Sequence, residues 1–191
     1  MSELYYFWNN ANLQSEDGRK MSKLSFAVIE NHVEISVFGL LQKSNDRTQA
    51  KDIPAISKKY YETVGKESGE VIPFIVISKD YNASTKDFQL FIGGVIEKDN
   101  LETFVIPKGI YGKVTVKPKM GFLWGLSIGE AKRAFYTEWL PKSDYTALNM
   151  EYEYHTEIST GRNPQIDILF YIEKRNGVVN SGYHSKRIKL W

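Results

Sequence analysis

Hydrophobic and polar positions alternate in clear blocks through the first half of the chain. Apolar and polar residues alternate over 32–38, which predicts a half-buried strand that residues 39–41 extend. Apolar residues at helical spacing over 53–64 predict an amphipathic helix. The runs at 71–78 and 88–96 are apolar and rich in β-branched and aromatic residues, which predicts two further strands. The first half is therefore predicted to fold as β-α-β-β.

The helix predicted over 53–64 has start and stop signals in the sequence. Asp52 comes directly before the first apolar residue of the pattern, and aspartate is a preferred N-cap residue. Gly65 follows the last apolar residue, and glycine commonly ends helices because it adopts the left-handed conformation without strain. We therefore expect Asp52 to cap this helix and Gly65 to end it.

The second half of the chain has the same order of patterns. Extended segments are predicted over 103–106 and 110–116, followed by a helix over 128–140. Strands are predicted over 149–157 and 165–173. The second half is thus a second β-α-β-β unit.

The two units align at an offset of about 75 residues, which indicates an internal duplication. Strands linked by short connections, with one helix in each unit, favour an antiparallel sheet that carries both helices on one face. The predicted fold class is therefore α+β, with duplicated β-α-β-β units in one antiparallel sheet. The two helices would leave a groove between them, and such a groove is a natural ligand site.

The domain organisation follows from this repeat. We expect one domain over 24–175, composed of pseudo-repeats at about 24–100 and 101–175. Residues 1–23 contain a separate aromatic cluster and are predicted to be an accessory segment. Residues 176–191 form a C-terminal tail to which no function is assigned.

Composition and charge narrow the possible functions. The sequence has 191 residues, a net charge of +2, no cysteine and 14% aromatic residues. The absence of cysteine excludes disulfides, thiol nucleophiles and thiolate-metal sites, and the three histidines have no metal-binding spacing. We expect no metal and no cofactor. The near-neutral charge argues against direct nucleic acid binding, and the lack of a long apolar run or signal-peptide pattern predicts a cytoplasmic protein with no membrane contact.

Acidic residues in the second half are the first candidates for chemistry. Acidic residues and one histidine alternate through 151–157, so they share one face of a strand, with Tyr152 and Tyr154 on the other. The pattern alone favours a solvated acidic face with the tyrosines packed inward. Asp167 differs because apolar residues flank it within a strand, so its carboxylate must be paired, hydrogen-bonded or directed into a cavity. Both a cavity position and an ordinary outer-face position remain open for it.

Several short motifs together resemble a known family. These are Ile106-Pro-Lys-Gly-Ile-Tyr111, the run Trp139-Leu-Pro-Lys-Ser-Asp-Tyr145, the strand Tyr152-Glu-Tyr-His155 and the final acidic-apolar strand from Ile166 to Lys174. The chain resembles the GyrI-like, or bacterial effector-binding, domain family over about residues 24–175. The resemblance implies a duplicated β-α-β-β fold, in agreement with the hydrophobic pattern.

The resemblance also implies a function. Members of this family bind amphipathic, often cationic, aromatic molecules in the groove between the helices. By position, Glu153 matches the pocket glutamate of the family and Asp167 matches the acidic position of the last strand. This sequence departs from the family at Asp167, where glutamate is more usual, and at Lys132, where an aromatic residue is common.

The favoured hypothesis is a stand-alone protein that captures amphipathic aromatic, and possibly cationic, compounds for detoxification or resistance. One alternative is a hydrolase that opens cyclopropane rings of DNA-alkylating natural products, with Glu153 orienting a water and Tyr136 polarising a carbonyl. Another is a protein-binding inhibitor such as a gyrase modulator, for which no partner can be specified. Ligand contacts are expected from Glu153, Asp167, Trp124, Trp139, Tyr111, Tyr154 and Tyr171, although core packing is the simpler interpretation for Trp139.

Overall fold

The computed structural model describes residues 24–120 and 123–175, which form one antiparallel eight-stranded sheet with two helices on one face. This is the predicted α+β fold class. The accessory segment at 1–23 and the tail at 176–191 lie outside the described residues. The strands are β1 (Ala27–Asn31), β2 (Ile35–Asn45), β3 (Phe74–Lys79), β4 (Asp87–Gly94), β5 (Glu102–Ile106), β6 (Gly109–Val116), β7 (Tyr145–His155) and β8 (Ile166–Lys174).

The strand order confirms the duplication and adds one strand, β1, to the first unit. The sheet runs β1-β6-β8-β7-β3-β4-β2-β5, so a pseudo-twofold axis passes between β7 and β3. Each unit is β-β-α-β-β, and its first strand pairs with the other unit: β1 with β6, and β5 with β2. Strand β1 was not predicted, because it is a short edge strand whose residues are mostly exposed and show no alternation.

The first helix, α1 (Gln49–Val64), begins earlier than predicted. Asp52 is therefore in its first turn and is not the N-cap; its carboxylate accepts hydrogen bonds of 2.6 Å from the hydroxyl groups of Ser44 and Thr48. Gly65 ends the helix in the left-handed conformation, with φ of 69°, as predicted. These contacts anchor the start of α1 to the end of β2.

The second helix, α2 (Trp124–Ala134), also begins earlier than predicted and does not continue regularly to residue 140. A π-helical turn (Phe135–Trp139) and a 3-10 turn (Leu140–Lys142) follow it. Pro141 lies in the 3-10 turn, where the missing N–H of proline prevents continuation of the α-helix. With 16 residues in α1 and 11 in α2, neither helix in the described part of the chain could cross a membrane.

The helices cover one face of the sheet, and the opposite face also has an apolar core. Val76 of β3 packs in the cluster under α1, and Ile168 of β8 packs in the cluster under α2. Both are aligned with Glu153 of β7 in the cross-strand register, so all three side chains point to the helix side. A third cluster, which includes Tyr111 and Tyr152, lies on the other face. This assignment of faces decides where each candidate site residue lies.

Candidate functional site

The main cavity lies between the start of α1 and the second half of α2, on the helix side of the sheet. Its volume is about 910 Å³, and we call it the groove. Aromatic side chains from the sheet and its loops contribute to it, namely Tyr81 and Phe88. Helix residues that line it include Gln49, Gly129, Lys132 and Tyr136, and its floor includes Ser78 and Glu151.

The alternating acidic residues of β7 face this helix side and are not solvated. Glu151 pairs with Ser78 of β3, and Glu153 pairs with Val76, whose side chain packs under α1. Glu151 is 8% exposed and Glu153 is 6% exposed. The interpretation of a solvated acidic face is therefore wrong. The helices pack over these carboxylates, and this packing cannot be seen from the alternation alone.

A buried cluster of charges joins α2 to β7. Nζ of Lys132 lies 2.9 Å from Oε1 of Glu151 and 3.3 Å from Oε1 of Glu153. The hydroxyl group of Tyr136 donates a hydrogen bond of 2.7 Å to Oε2 of Glu151. Oε2 of Glu153 lies 3.7 Å from Nε2 of His155, which is longer than a hydrogen bond. We call Lys132, Glu151, Glu153 and Tyr136 the charge cluster.

The pKa values in this cluster follow from burial and from the ion pairs. Burial by itself would lower the pKa of Lys132, but the two carboxylates outweigh it and raise the pKa above its ordinary value. Burial would raise the pKa of Glu153, but the Lys132 ammonium and His155 hold it below its ordinary value. Burial, together with the neighbouring Glu151, raises the pKa of the Tyr136 hydroxyl. Around neutral pH, the cluster therefore contains a charged lysine, a charged Glu153 and a neutral tyrosine.

Trp124 lies at the start of α2, among rings that connect the two helices. Its ring centroid is 6.3 Å from that of His155, which lies 5.7 Å from Phe74. Phe74 in turn stacks on Tyr61 of α1 at 5.4 Å. Trp124 is 8% exposed, and it packs against His155 rather than lining the groove.

Trp139 belongs to an aromatic stack behind α2. Phe135 stacks on Phe170 of β8 with a centroid distance of 3.7 Å, and Trp139 stacks on Phe135 at 5.2 Å. Tyr145 extends the stack beyond Trp139 at 6.2 Å. This is the core-packing position that the sequence favoured for Trp139. Gly112 lies beneath the stack, where an added Cβ would be 2.8 Å from Cε2 of Phe135.

The remaining predicted residues lie on the opposite face of the sheet. Asp167 aligns with Tyr154 across β7 and β8, so it shares the face of Tyr154 and not that of Glu153. Its carboxylate pairs with Nζ of Lys113 at 2.6 Å and accepts a hydrogen bond from Thr115. The expectation that Glu153 and Asp167 share one groove is therefore corrected.

Two of the predicted tyrosines pack together on that opposite face. The ring centroids of Tyr111 and Tyr171 are 5.1 Å apart, and the hydroxyl group of Tyr111 donates a hydrogen bond of 2.6 Å to the carbonyl of Pro107. Tyr154 packs against the same apolar cluster. The structure thus brings together Glu153 and Tyr136 but separates them from Tyr111, Tyr154 and Tyr171.

Sequence reasoning missed Glu151 as a site residue and did not recognise Lys132 as its partner. A signal was present for both. Lys132 and Tyr136 are four residues apart on a helix and therefore share a face, while Glu151 and Glu153 share a strand face. The pairing of these two faces depends on how α2 packs on β7, which the local pattern does not specify.

Asn149 is a second residue that sequence reasoning missed. It has a φ of 53° within an irregularity of the β7–β8 pairing. Its side-chain amide accepts a hydrogen bond of 3.0 Å from the N–H of Tyr81 and donates one of 3.2 Å to the carbonyl of Tyr81. Asn149 thereby positions the loop that carries Tyr81 at the rim of the groove.

Comparisons with known proteins support the fold. The antiparallel sheet with two helices on one face recurs in solved structures that share little sequence identity with this chain. The integron cassette protein from the mobile metagenome of Vibrio cholerae superposes with a TM-score of 0.57 and 12% identity, covering 80% of this chain and 97% of that chain.

Two further solved structures share this fold. SAV2435, solved bound to tetraphenylphosphonium, has a TM-score of 0.57 and 8% identity, with coverage of 79% of this chain and 94% of that chain. The C-terminal domain of EcmrR has a TM-score of 0.50 and 16% identity, with coverage of 80% and 98%. No family model and no curated protein matches the sequence. At sequence identities of 8% to 16%, the structural similarity establishes only that these proteins share a fold.

Proposed function

We propose that this protein binds amphipathic, aromatic small molecules in the groove between α1 and α2. The groove itself carries this proposal, because its volume of about 910 Å³ suits a drug-sized molecule. Tyr81, Phe88 and Tyr136 offer aromatic surface for a flat ligand, while the charge cluster offers a few convergent polar groups. Apolar walls with few polar groups are typical of small-molecule sites.

The biological role that fits such a site is capture of a toxic compound. A protein that binds a compound lowers its free concentration when the protein concentration exceeds the dissociation constant. SAV2435, which shares this fold, was solved with an aromatic organic cation, tetraphenylphosphonium, bound. We therefore propose a role in detoxification or resistance within the cytoplasm.

Binding is proposed in preference to hydrolysis because of the state of the charge cluster. A general base works best with a pKa close to the operating pH, which for a glutamate requires a raised pKa. The Lys132 ammonium instead lowers the pKa of Glu153. Tyr136 has a raised pKa and already donates its proton to a hydrogen bond with Glu151. These features suit a fixed binding surface better than they suit proton transfer.

Gly129 provides a sharp test of the proposal. It lies in α2 and lines the groove, and a Cβ added there would meet nothing within 4 Å. We expect Gly129→Phe to fill the groove without disturbing the core, whereas Gly129→Ala leaves most of the volume open. The measurement is a titration of each protein with Nile red, an uncharged aromatic dye that fluoresces in apolar surroundings.

Saturable fluorescence with the wild type and with Gly129→Ala, lost in Gly129→Phe, would support the proposal. Equal binding by Gly129→Phe would show that the dye occupies another surface. Circular dichroism of the three proteins serves as the control for folding. Failure of Nile red and of a panel of aromatic drugs to bind the wild type would contradict the proposed function.

A further inference from the structure

Three of the four carboxylate oxygens in the charge cluster have a hydrogen-bond or ion-pair partner within 3.3 Å. Oε1 of Glu151 faces the Lys132 ammonium at 2.9 Å, and its Oε2 accepts the hydrogen bond from Tyr136. Oε1 of Glu153 lies 3.3 Å from the same ammonium, and its Oε2 faces His155. An organic cation that approached either carboxylate would therefore meet the Lys132 ammonium or have to displace a bonded group.

Two further charged side chains, one of each sign, lie at the groove. Among the residues that the structure describes, Asp46 and Arg133 also line the groove. The carboxylate of Asp46 accepts a hydrogen bond of 2.8 Å from the hydroxyl group of Tyr81. The Arg133 guanidinium offsets the formal charge of the Asp46 carboxylate, so these two side chains together add no net charge beside Lys132.

We propose that Lys132 acts as a resident counter-ion, so that the groove selects uncharged aromatic ligands over organic cations. This inference rests on the proposed function, because it names the ligand class of the same groove. The ammonium is held between two buried carboxylates, with a side chain only 15% exposed, and it occupies the position that a ligand cation would need. Like charges brought together in a poorly solvated site repel strongly.

Helix geometry explains why Lys132 is in this position. Lys132 is one turn before Tyr136, so both side chains project toward β7 from the same face of the α2 segment. Glu151 contacts both, through different oxygens. A single carboxylate thus keeps the lysine and the tyrosine in a fixed arrangement at the floor of the groove.

The test uses two probes that differ chiefly in charge. Methyltriphenylphosphonium and triphenylphosphine oxide each carry three phenyl rings on a tetrahedral phosphorus, but only the first is a cation. Isothermal titration calorimetry measures the dissociation constant of each probe with the wild type, Lys132→Met and Lys113→Met. Lys113 is the matched control, because it pairs with Asp167 on the opposite face of the sheet.

We expect the wild type and Lys113→Met to bind the phosphine oxide at least about tenfold more tightly than the phosphonium, a ratio that corresponds to about 1.4 kcal/mol. We expect Lys132→Met to bind the phosphonium at least about tenfold more tightly than the wild type does. The decisive comparison is the phosphonium affinity of Lys132→Met against that of the wild type. The ratio of the two probes is less direct, because the substitution also removes the lysine as a hydrogen-bond donor to the phosphine oxide.

Removal of Lys132 leaves two buried carboxylates without their counter-ion, so the single variant is expected to be less stable. The double variant Lys132→Met/Glu153→Gln keeps one carboxylate, Glu151, which Tyr136 still hydrogen-bonds. We expect this variant to fold and also to gain affinity for the phosphonium. It therefore tests the proposal even where Lys132→Met does not fold.

The outcomes separate this inference from the proposed function. Equal or tighter binding of the phosphonium by the wild type would overturn the counter-ion role while leaving a ligand-binding groove intact. Unchanged phosphonium affinity in both Lys132→Met and Lys132→Met/Glu153→Gln would overturn it as well. If neither probe binds any of these proteins, and Nile red does not bind the wild type, the proposed function itself fails.

Discussion

The hydroxyl group of Tyr136 donates a hydrogen bond of 2.7 Å to Oε2 of Glu151, across the gap between α2 and β7. Tyr136 lies in the π-helical turn that follows α2, and Glu151 is buried on the helix side of the sheet. The bond therefore ties one wall of the groove to its floor. Single π-helical turns often occur at functional sites, and this one carries a side chain of the groove.

Substitution of Tyr136 by phenylalanine tests this bond. Phenylalanine keeps the ring packing but leaves Oε2 of the buried Glu151 without its donor, which we expect to cost about 1–3 kcal/mol in the free energy of unfolding. Tyr81→Phe is the matched control, because the two tyrosines are equally exposed but Asp46, unlike Glu151, is an exposed acceptor, so its loss of the bond should cost less than about 0.5 kcal/mol. Urea unfolding of both variants measures the difference, and equal losses would contradict the importance of the bond to the buried Glu151.

Acidification should destabilise the protein through Glu153. The pKa of this group is lower in the folded state than its ordinary value of 4.5, so the unfolded chain binds more protons between the two values. Its stabilising contribution is complete above pH 4.5 and is lost as the pH falls through the lowered folded-state pKa. Glu153→Gln, which cannot titrate, should therefore lose less stability than the wild type between pH 7 and pH 3.5.

Urea unfolding at several pH values checks this expectation. The difference in the free energy of unfolding between the wild type and Glu153→Gln should be largest at neutral pH and should narrow below pH 4.5. A difference that stays constant across this range would show that Glu153 is not held ionised by Lys132.

Two glycines of the second unit should respond to alanine in opposite ways. A Cβ on Gly112 would lie 2.8 Å from Cε2 of Phe135, so Gly112→Ala should destabilise the protein by about 1–3 kcal/mol. A Cβ on Gly129 would meet nothing within 4 Å in the middle of α2, so Gly129→Ala should stabilise it by about 0.5–1 kcal/mol. Thermal unfolding of both variants measures these changes. Stabilisation by Gly112→Ala would contradict the close packing of the aromatic stack on β6.

Asp167→Asn should leave ligand binding unchanged. Its carboxylate lies on the opposite face of the sheet, paired with Lys113 and Thr115, and does not line the groove. We expect the dissociation constant for Nile red to equal that of the wild type, whereas Gly129→Phe abolishes binding. A loss of binding in Asp167→Asn would place the ligand on the other face.

Much of the fold could be predicted from local patterns. The helix that Gly65 ends, the strand around Val76 and the strand around Ile168 all follow from spacing and composition, as does the duplication. The edge strand β1 could not be predicted, because its residues are mostly exposed and it is stabilised by pairing with β6 from the other unit. The π-helical turn after Ala134 likewise has no simple sequence signal.

The candidate site was only partly predictable. Glu153 and Tyr136, two candidates from the sequence, both belong to the charge cluster. Trp139 was named for its aromatic character, but the structure packs it on Phe135 in the core. Composition and motif resemblance identify residue types suited to a pocket, but they do not show which of these residues face the groove.

The sequence by itself determined the order of elements, the duplication and the separation of Glu153 from Tyr154 onto opposite faces of one strand. These features depend on the side-chain periodicity of helices and strands, which can be recognised in short stretches of the sequence. Only the tertiary structure decided that the helices cover the face of Glu153 and not that of Asp167. That choice depends on the register between β7 and β8 and on the packing of α2 against the sheet, which are contacts between residues distant in sequence. The same packing brings Lys132 onto Glu151 and Glu153.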